Sequence, residues 1–285
     1  MKLSVIIPCF NAGQTISQQL EALTKQEWSQ PWEIIIADNG STDNTREIIQ
    51  AYQDKLPHLR LIDASAKRGA AYGRNAGVKA AQADMLAFCD ADDEVAPGWV
   101  AAMGTALGEH DLVGGRDEHW KLNPEWLVKV YGCEEGNGIY FDHPFLPLLS
   151  GNNIAVKRSL HEAVGGFDEN LTILDDVDYC WRIQQLGIKP YEAKDALVHF
   201  RLRDRIPQIC QRAWKMGVDE GRLYRKHRSQ GMTQPITWKT VIKTTGLFAI
   251  RLFTLKIRDK ISLTQNLMDL AWRGGQLQGL IKSST

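Results

Sequence analysis

The chain has 285 residues, of which 44% are hydrophobic and 24% charged, a composition that excludes disordered, collagen-like and coiled-coil classes. Lys plus Arg and Asp plus Glu both number 34, and that balance hides an asymmetry. Residues 201–285 carry 17 basic and 5 acidic side chains, while the first 200 carry 17 and 29, so an acidic body and a basic tail point to different partners. The five cysteines (Cys9, Cys89, Cys133, Cys180, Cys210) are odd in number and lack CxxC spacing. That argues for reduced thiols in the cytoplasm and against a zinc or disulfide framework. The apolar start MKLSVIIPCF is too short for a secretory signal, and no run approaches the roughly 18 uncharged apolar residues of a membrane span.

In chain order, Leu3–Pro8, Glu33–Ala37, Leu59–Ile62 and Met85–Cys89 are short, apolar runs and read as buried strands. Thr15–Gln26, Thr45–Asp54 and Ala70–Ala81 lie between them with helical spacing. This alternation predicts an α/β fold with a mostly parallel sheet flanked by helices. Residues 111–149, with Trp120, Trp126, Gly136, Gly138, Pro144 and Pro147, read as loops around a site. Gly151–Val156 reads as a strand, Ser159–Val164 and Asp176–Leu186 as helices, and Ala196–Phe200 as another strand. After Arg205 the pattern is helical, with breaks near Ser229–Pro235 and at Gly274. The division expected is a domain of residues 1–205 followed by a basic helical extension, 206–285.

Open parallel sheets bind ligands outside the carboxyl ends of their strands, and three strand ends here are polar. They are Pro8-Cys9-Phe10-Asn11, Asp38-Asn39-Gly40-Ser41-Thr42-Asp43 and Asp90-Ala91-Asp92-Asp93. Ser41 and Asp43 suit helix capping as well as ligand contact, whereas Asp38, at the strand exit, favours a ligand. No loop matches a GxGxxG or GxxxxGK[ST] phosphate cradle, which sets aside dehydrogenases and P-loop nucleotidases. Clustered carboxylates at Asp90, Asp92 and Asp93 repel unless a cation joins them, and hard oxygen ligands suit Mg²⁺ or Mn²⁺ bridging to substrate phosphates. A second cluster, Asp175-Asp176-Val177-Asp178, opens an amphipathic helix. Capping and the helix dipole account for Asp175 and Asp178, and Asp176 is left as a general-base candidate. His199, at a strand exit before Arg201, Arg203 and Arg205, suits a metal or phosphate role.

Six segments in order, SVIIPCFNA, EIIIADNGSTDNT, AKRGAAYGRNAG, AFCDADD, SGNNIAVKRSLHEAVGGFDE and ILDDVDYCWRI, resemble the family 2 glycosyltransferases over residues 1–205. The resemblance implies a GT-A fold, a nucleotide-sugar donor of UDP or GDP type, a divalent cation (Mn²⁺ or Mg²⁺) and inversion at the anomeric carbon. By position it implies that Asp38 binds base or ribose, that Pro8 and Asn11 lie under the nucleotide, and that Arg74 and Asn75 lie beside it. Asp90 and Asp92 match the DxD motif, Asp90 nearer the ribose and Asp92 on the metal, with Asp93 a candidate to share that duty. Asp175 and Asp176 match the family's acid pair, whose second member is the base, and His199 matches a histidine completing the metal site. Gly151, Asn152, Asn153, Gly165, Gly166 and Phe167 would shape the sugar and acceptor side, with Arg201 and Arg203 adding positive charge. Two positions depart from the pattern: Asn39 stands where many members have Asp, and Asp175 replaces the commoner Glu. The QxxRW motif of polymerising members is absent, which favours addition of a single sugar.

Two rival readings are a non-catalytic nucleotide-sugar-binding module and a nucleotidyltransferase. The acceptor class stays open among saccharides, lipid-linked molecules and small molecules, with no nucleic-acid partner. In the tail, Trp238, Val241, Ile242, Phe248, Leu252 and Leu255 recur near helical spacing among Lys239, Lys243, Arg251, Lys256, Arg258 and Lys260. A basic amphipathic helix of this kind suits an anionic membrane surface, packing on the body, or a second subunit in a homo-oligomer.

Overall fold

A computed structural model of the chain describes residues 1–136, 138–139, 143–237, 239–240, 242–246, 257 and 259–281. The four apolar runs form β1 (Leu3–Cys9), β2 (Trp32–Asp38), β3 (Leu59–Asp63) and β4 (Met85–Phe88), joined by α1 (Ile16–Thr24), α2 (Thr45–Ala51) and α3 (Ala70–Ala80). Then follow β5 (Glu94–Val95), α4 (Trp99–Glu109), β6 (Leu112–Glu118), α5 (Glu125–Tyr131), β7 (Ile154–Lys157) and α6 (Arg158–Ala163). Helix α7 (Asp175–Gln184), β8 (Tyr191–His199), α8 (Ile206–His227), a 3-10 turn (Arg228–Gln230) and α9 (Lys260–Ile281) follow. The strand order is β3-β2-β1-β4-β7-β6-β8-β5. The sheet is mixed. Four pairings are parallel, and three, all involving β7 or β5, are antiparallel.

Every residue of β1 is buried, because its side chains alternate between two packed layers. Leu3, Val5 and Ile7 face a core built with Ile16, Leu20 and Leu23 of α1 and with Trp99, Val100, Met103 and Leu107 of α4. Ile6 faces the other side, with Val78, Leu86, Phe88, Val156, Phe167, Tyr179 and Ile183. Each such aliphatic side chain, once buried, contributes roughly 1.5–3 kcal/mol. Helix α3 approaches β1 closely enough that a Cβ on Gly77 would lie 2.4 Å from Ile6 Cγ2, and one on Gly73 would lie 3.0 Å from Pro8 Cβ.

The stretch 111–149, expected as loops, contains β6 and α5. Gly114 and Gly115 dilute the strand signal, yet both are needed for close packing. A Cβ on Gly115 would lie 2.2 Å from the Ala196 carbonyl oxygen, and one on Gly114 would lie 2.3 Å from Leu149 Cδ2. The β6–β8 ladder shifts register at this point, between Gly114 and Arg116, an irregularity that re-aims the side chains beyond it.

The chain divides into two compact units: residues 1–122, 135–170 and 175–201, and residues 123–134, 171–174 and 202–285. The second unit therefore includes α5 and the 171–174 segment besides the tail. Within it α8 and α9 pair closely, with glycines at the crossing: a Cβ on Gly217 would lie 2.1 Å from Trp272 O, and one on Gly275 2.1 Å from Trp214 O. Gly274 does not break the helix, contrary to its sequence reading, because the Trp214 ring covers it: a Cβ there would lie 2.4 Å from Trp214 Cζ3. Buried Asp219 accepts the backbone N–H groups of Thr172 and Ile173 at 2.7 Å each and of Leu174 at 3.3 Å. Among the described residues no helix is long and apolar enough to cross a membrane. Trp238, Val241, Phe248, Arg251, Leu252, Leu255, Lys256 and Arg258 of the expected amphipathic stretch lie outside the described residues.

Candidate active site

At the ends of β1 and β2, two loops hold each other. Asn11 adopts a positive φ of 48°, donates its N–H to Ser41 Oγ at 2.9 Å and accepts the Thr42 N–H at 2.8 Å. Asp43 accepts from the N–H groups of Gly13 and Thr45, which ties the β1 loop to the first residue of α2. Asp38 is 0% exposed; its Oδ1 accepts the Ser41 N–H at 3.0 Å. Its Oδ2 has no hydrogen-bond partner, and the nearest cation, Arg46 Nε, stands 3.6 Å away. A buried carboxylate oxygen left this way costs about 1–3 kcal/mol unless a ligand donor meets it. Asn39 explains its own departure from Asp: its amide donates to the Ala64 and Lys67 carbonyls and accepts the Gly69 N–H, and a carboxylate could not donate.

The second centre is the turn after β4. Gln19 of α1 donates to the Asp90 carbonyl and accepts the Val95 N–H, which fixes the turn's backbone. The buried Arg74 of α3 bridges two carboxylates, with Nη2 at 2.9 Å from Asp90 Oδ1 and Nη1 at 2.8 Å from Asp175 Oδ2. The DxD turn and the acid pair, 85 positions apart at Asp90 and Asp175, thus share one guanidinium. Asp175 is 3% exposed. Burial pushes its carboxyl up to about 7, Arg74 opposes that, and neighbouring Asp176 adds to it. Asp176 keeps part of its surface open. Its Oδ2 accepts the Gly151 N–H at 2.6 Å and its Oδ1 the Val177 N–H at 2.8 Å, and burial raises its carboxyl against the pull of Arg74 and these bonds. Asp178 is turned to the helix's own Arg182 at 2.6 Å.

The third centre joins β6, β7 and β8. Asp93, 1% exposed, accepts the Arg201 N–H at 2.8 Å and the Asn152 amide at 3.1 Å. The same Asn152 nitrogen lies 3.2 Å from Asp117 Oδ1. Burial pushes Asp93 well above the usual carboxylate range, reinforced by Asp92 and Asp90, and pushes Asp117 up to about 7. Arg201 Nε donates to the Asp92 carbonyl at 2.8 Å, so the end of β8 is tied to the DxD turn. His199 Nδ1 meets Glu118 Oε2 at 2.6 Å.

The structure thus brings together Asp90, Arg74, Asp175, Asp176 and Gly151, while Arg201, two residues beyond His199, is tied to Asp92 and Asp93 of the DxD turn. Several expected ligand residues are occupied by the fold instead. Asn75 clamps the 167–169 turn through Phe167 and Glu169, and Gly166 lies against it: a Cβ there would be 2.7 Å from Asn75 Oδ1. Asn153 accepts from Trp99 Nε1 and donates to the Arg116 and Ala196 carbonyls. Asn152 is buried between carboxylates, Asp93 has both oxygens engaged, and Arg203 is an exposed residue of the second unit. Asp117, Glu118 and Gln19 were not singled out in the sequence. The acids Asp117 and Glu118 follow the apolar pair Leu112-Val113 by a few residues, a strand-exit signal blurred by Gly114 and Gly115.

Among the described residues no group of three or more His, Cys, Asp or Glu side chains converges on a metal position. A carboxylate and an imidazole, Asp92 and His199, fit Mn²⁺ or Mg²⁺ only with substrate phosphates completing the shell, which is how these ions are commonly held.

The family model for Glycosyl transferase family 2 matches residues 4–165, more than half the chain, and the chain belongs to that family. It is 45% identical over 131 residues to the uncharacterized glycosyltransferase YibD of Escherichia coli (strain K12), covering 46% of this chain and 36% of that one. It is 40% identical over 263 residues to the uncharacterized glycosyltransferase YfnE of Bacillus subtilis (strain 168), covering 74% of this chain and 65% of that one. The chain therefore spans between about a third and two thirds of these relatives' length. Among solved structures, the mannosyltransferase PcManGT from Pyrobaculum calidifontis, in complex with GDP-Man and Mn²⁺, superposes with a TM-score of 0.65 at 16% identity, covering 98% of this chain and 87% of that one. The fold is that of the GT-A glycosyltransferases.

Proposed function

We propose that residues 1–205 transfer one sugar from a UDP- or GDP-type nucleotide-sugar to an acceptor hydroxyl, with inversion and with a divalent cation. The observation that carries this reading is Arg74, which joins the DxD turn to the acid pair within one buried ion network. Asp176 is the general base. The acceptor oxygen attacks the anomeric carbon, its proton passes to Asp176, and the bond to the diphosphate oxygen breaks with its electron pair leaving on the diphosphate. Asp38 holds the nucleoside through its unpaired Oδ2, and Asp90, fixed by Arg74, stands beside the ribose. Asp92 and His199 would hold the cation, whose chemistry is to neutralise charge developing on the leaving group. Arg201 adds positive charge near the same turn. A non-catalytic module would not need a partly open carboxylate held by two N–H groups beside this network.

The test is calorimetric titration of UDP and GDP with Mn²⁺ into wild type and Asp92→Ala. Metal-dependent binding that disappears in the variant supports the reading, and unchanged metal dependence overturns it.

We propose further that the protein is cytoplasmic and that its basic tail meets anionic lipid. Ile242 is exposed, and each basic residue near such a surface contributes about 1 kcal/mol. Sedimentation with anionic liposomes at low salt and release at high salt is expected, and indifference to liposomes contradicts it.

A further inference from the structure

The end of β8 carries a relationship that the family resemblance does not supply. His199 is the last residue of β8, and it stands opposite Glu118 of β6 and Glu94 of β5 in the two flanking ladders. The two acids are engaged differently. Glu94 is taken up by Lys121 Nζ at 2.6 Å and by Gln18 Nε2 at 2.8 Å. Glu118 turns to the histidine, with Oε2 at 2.6 Å from His199 Nδ1. Its other oxygen accepts the backbone N–H groups of Trp120 and Lys121. The carboxylate is therefore fixed from behind before it touches the ring, and the His199 side chain is only 14% exposed.

A neutral imidazole whose Nδ1–H is donated to a fixed carboxylate presents Nε2 as a bare lone pair. Free histidine prefers the opposite tautomer, so the strand-end environment has to impose this one. We propose that Glu118 is the positioning residue of the cation site. It holds His199 as the Nδ1–H tautomer with Nε2 directed away from the strand pair, as a ligand awaiting the metal–diphosphate. The inference builds on the proposed metal role of His199. Partners of this kind orient metal-bound histidines and raise their basicity, and losing one typically costs 10–100-fold in metal affinity. The register shift between Gly114 and Arg116 is what brings Glu118 opposite His199 rather than a residue nearer the strand centre.

Two readings on the same purified proteins test this. In the metal-free chain with ¹⁵N-labelled histidine, long-range ¹H–¹⁵N spectra above the ordinary histidine pKa report the His199 tautomer, assigned by comparison with His199→Ala among the 7 histidines. Wild type is expected as Nδ1–H and Glu118→Ala as predominantly Nε2–H. Mn²⁺ titration in the presence of UDP, and in parallel GDP, is expected to show about a tenfold loss in Glu118→Ala. An Nε2–H tautomer in folded wild type overturns the proposal. So does a Glu118→Ala protein with a native spectrum, unchanged tautomer and unchanged Mn²⁺ affinity while His199→Ala binds Mn²⁺ weakly. If His199→Ala binds Mn²⁺ as tightly as wild type, the metal role of His199 itself fails, whatever Glu118 does to the tautomer.

Discussion

The Gly151 N–H donates to Asp176 Oδ2 at 2.6 Å, and a methyl group at Gly151 would lie 2.8 Å from Asp176 Cβ and 3.1 Å from Arg74 Nη2. The backbone at 151 thus sets where the proposed base stands, and only glycine leaves room for both the carboxylate and the guanidinium. Gly151→Ala should displace Asp176 while leaving the Asp38 pocket untouched. A shift of about 1 Å in a reacting group can cost roughly 10²-fold in rate. Steady-state kinetics should show a large fall in kcat with donor KM near wild type, and an unchanged kcat would separate Asp176 from the chemistry.

Arg74 offers a sharper contrast because its fork reaches two acids from one buried position. Lysine has a single ammonium and cannot reproduce both contacts. Arg74→Lys should lower stability by about 1–3 kcal/mol, and Arg74→Ala by about 3–5 kcal/mol, since removing one partner leaves buried carboxylates uncompensated. Urea denaturation checks the order, and equal stability of the two variants would contradict the bridging role.

Asp117 provides a pH signature. Its carboxyl is pushed up to about 7 by burial, whereas the unfolded chain titrates it near about 3.9. The folded state therefore binds this proton more tightly, so the group's stabilising contribution is full below about pH 4 and is lost as the pH rises through about 7. Asp117→Asn keeps an acceptor for Asn152 and Asn153 and removes the titration. Relative to wild type, the variant should gain stability steadily across that window in a pH series of urea melts. Parallel curves would show that Asp117 does not titrate there.

In the second unit, Asp219 gathers three backbone N–H groups of 172–174 and the Arg222 guanidinium at 3.0 Å. Asp219→Ala would strand those donors, at a cost of about 3–5 kcal/mol. Asp219→Asn, which keeps one acceptor oxygen, should cost less. Thermal unfolding separates the two, and a silent Asp219→Ala would mean that water replaces the carboxylate.

The parts of the molecule legible in the sequence were those where one signal dominated. The contiguous apolar runs of β1, β2 and β4 are buried on both faces, so neither period nor propensity competes with them, and their polar ends announced the rim. β3, at the sheet edge, is only half-buried although its run read as a buried strand. β6 was hidden because its glycines serve close packing against Leu149 and Ala196 rather than strand propensity, and Asp117 and Glu118 were hidden with it. Gly274 read as a break for the converse reason: a residue that weakens a helix locally is kept where another helix must come near. Asn75, inside α3, and Asn153 were expected as ligand contacts through the family resemblance, which marks a position without showing that its amide is spent on neighbouring backbone, as both are here.

The central claim, inverting transfer with Asp176 as base, is met most directly by ¹H NMR of donor hydrolysis with Mn²⁺, in which water stands in for the acceptor. From an α-linked nucleotide-sugar the account predicts that the β-anomer appears first, and that Asp176→Asn slows its release by roughly 10²–10⁴-fold while donor affinity stays near wild type. First appearance of the α-anomer, or an Asp176→Asn protein hydrolysing the donor at the wild-type rate, would contradict it.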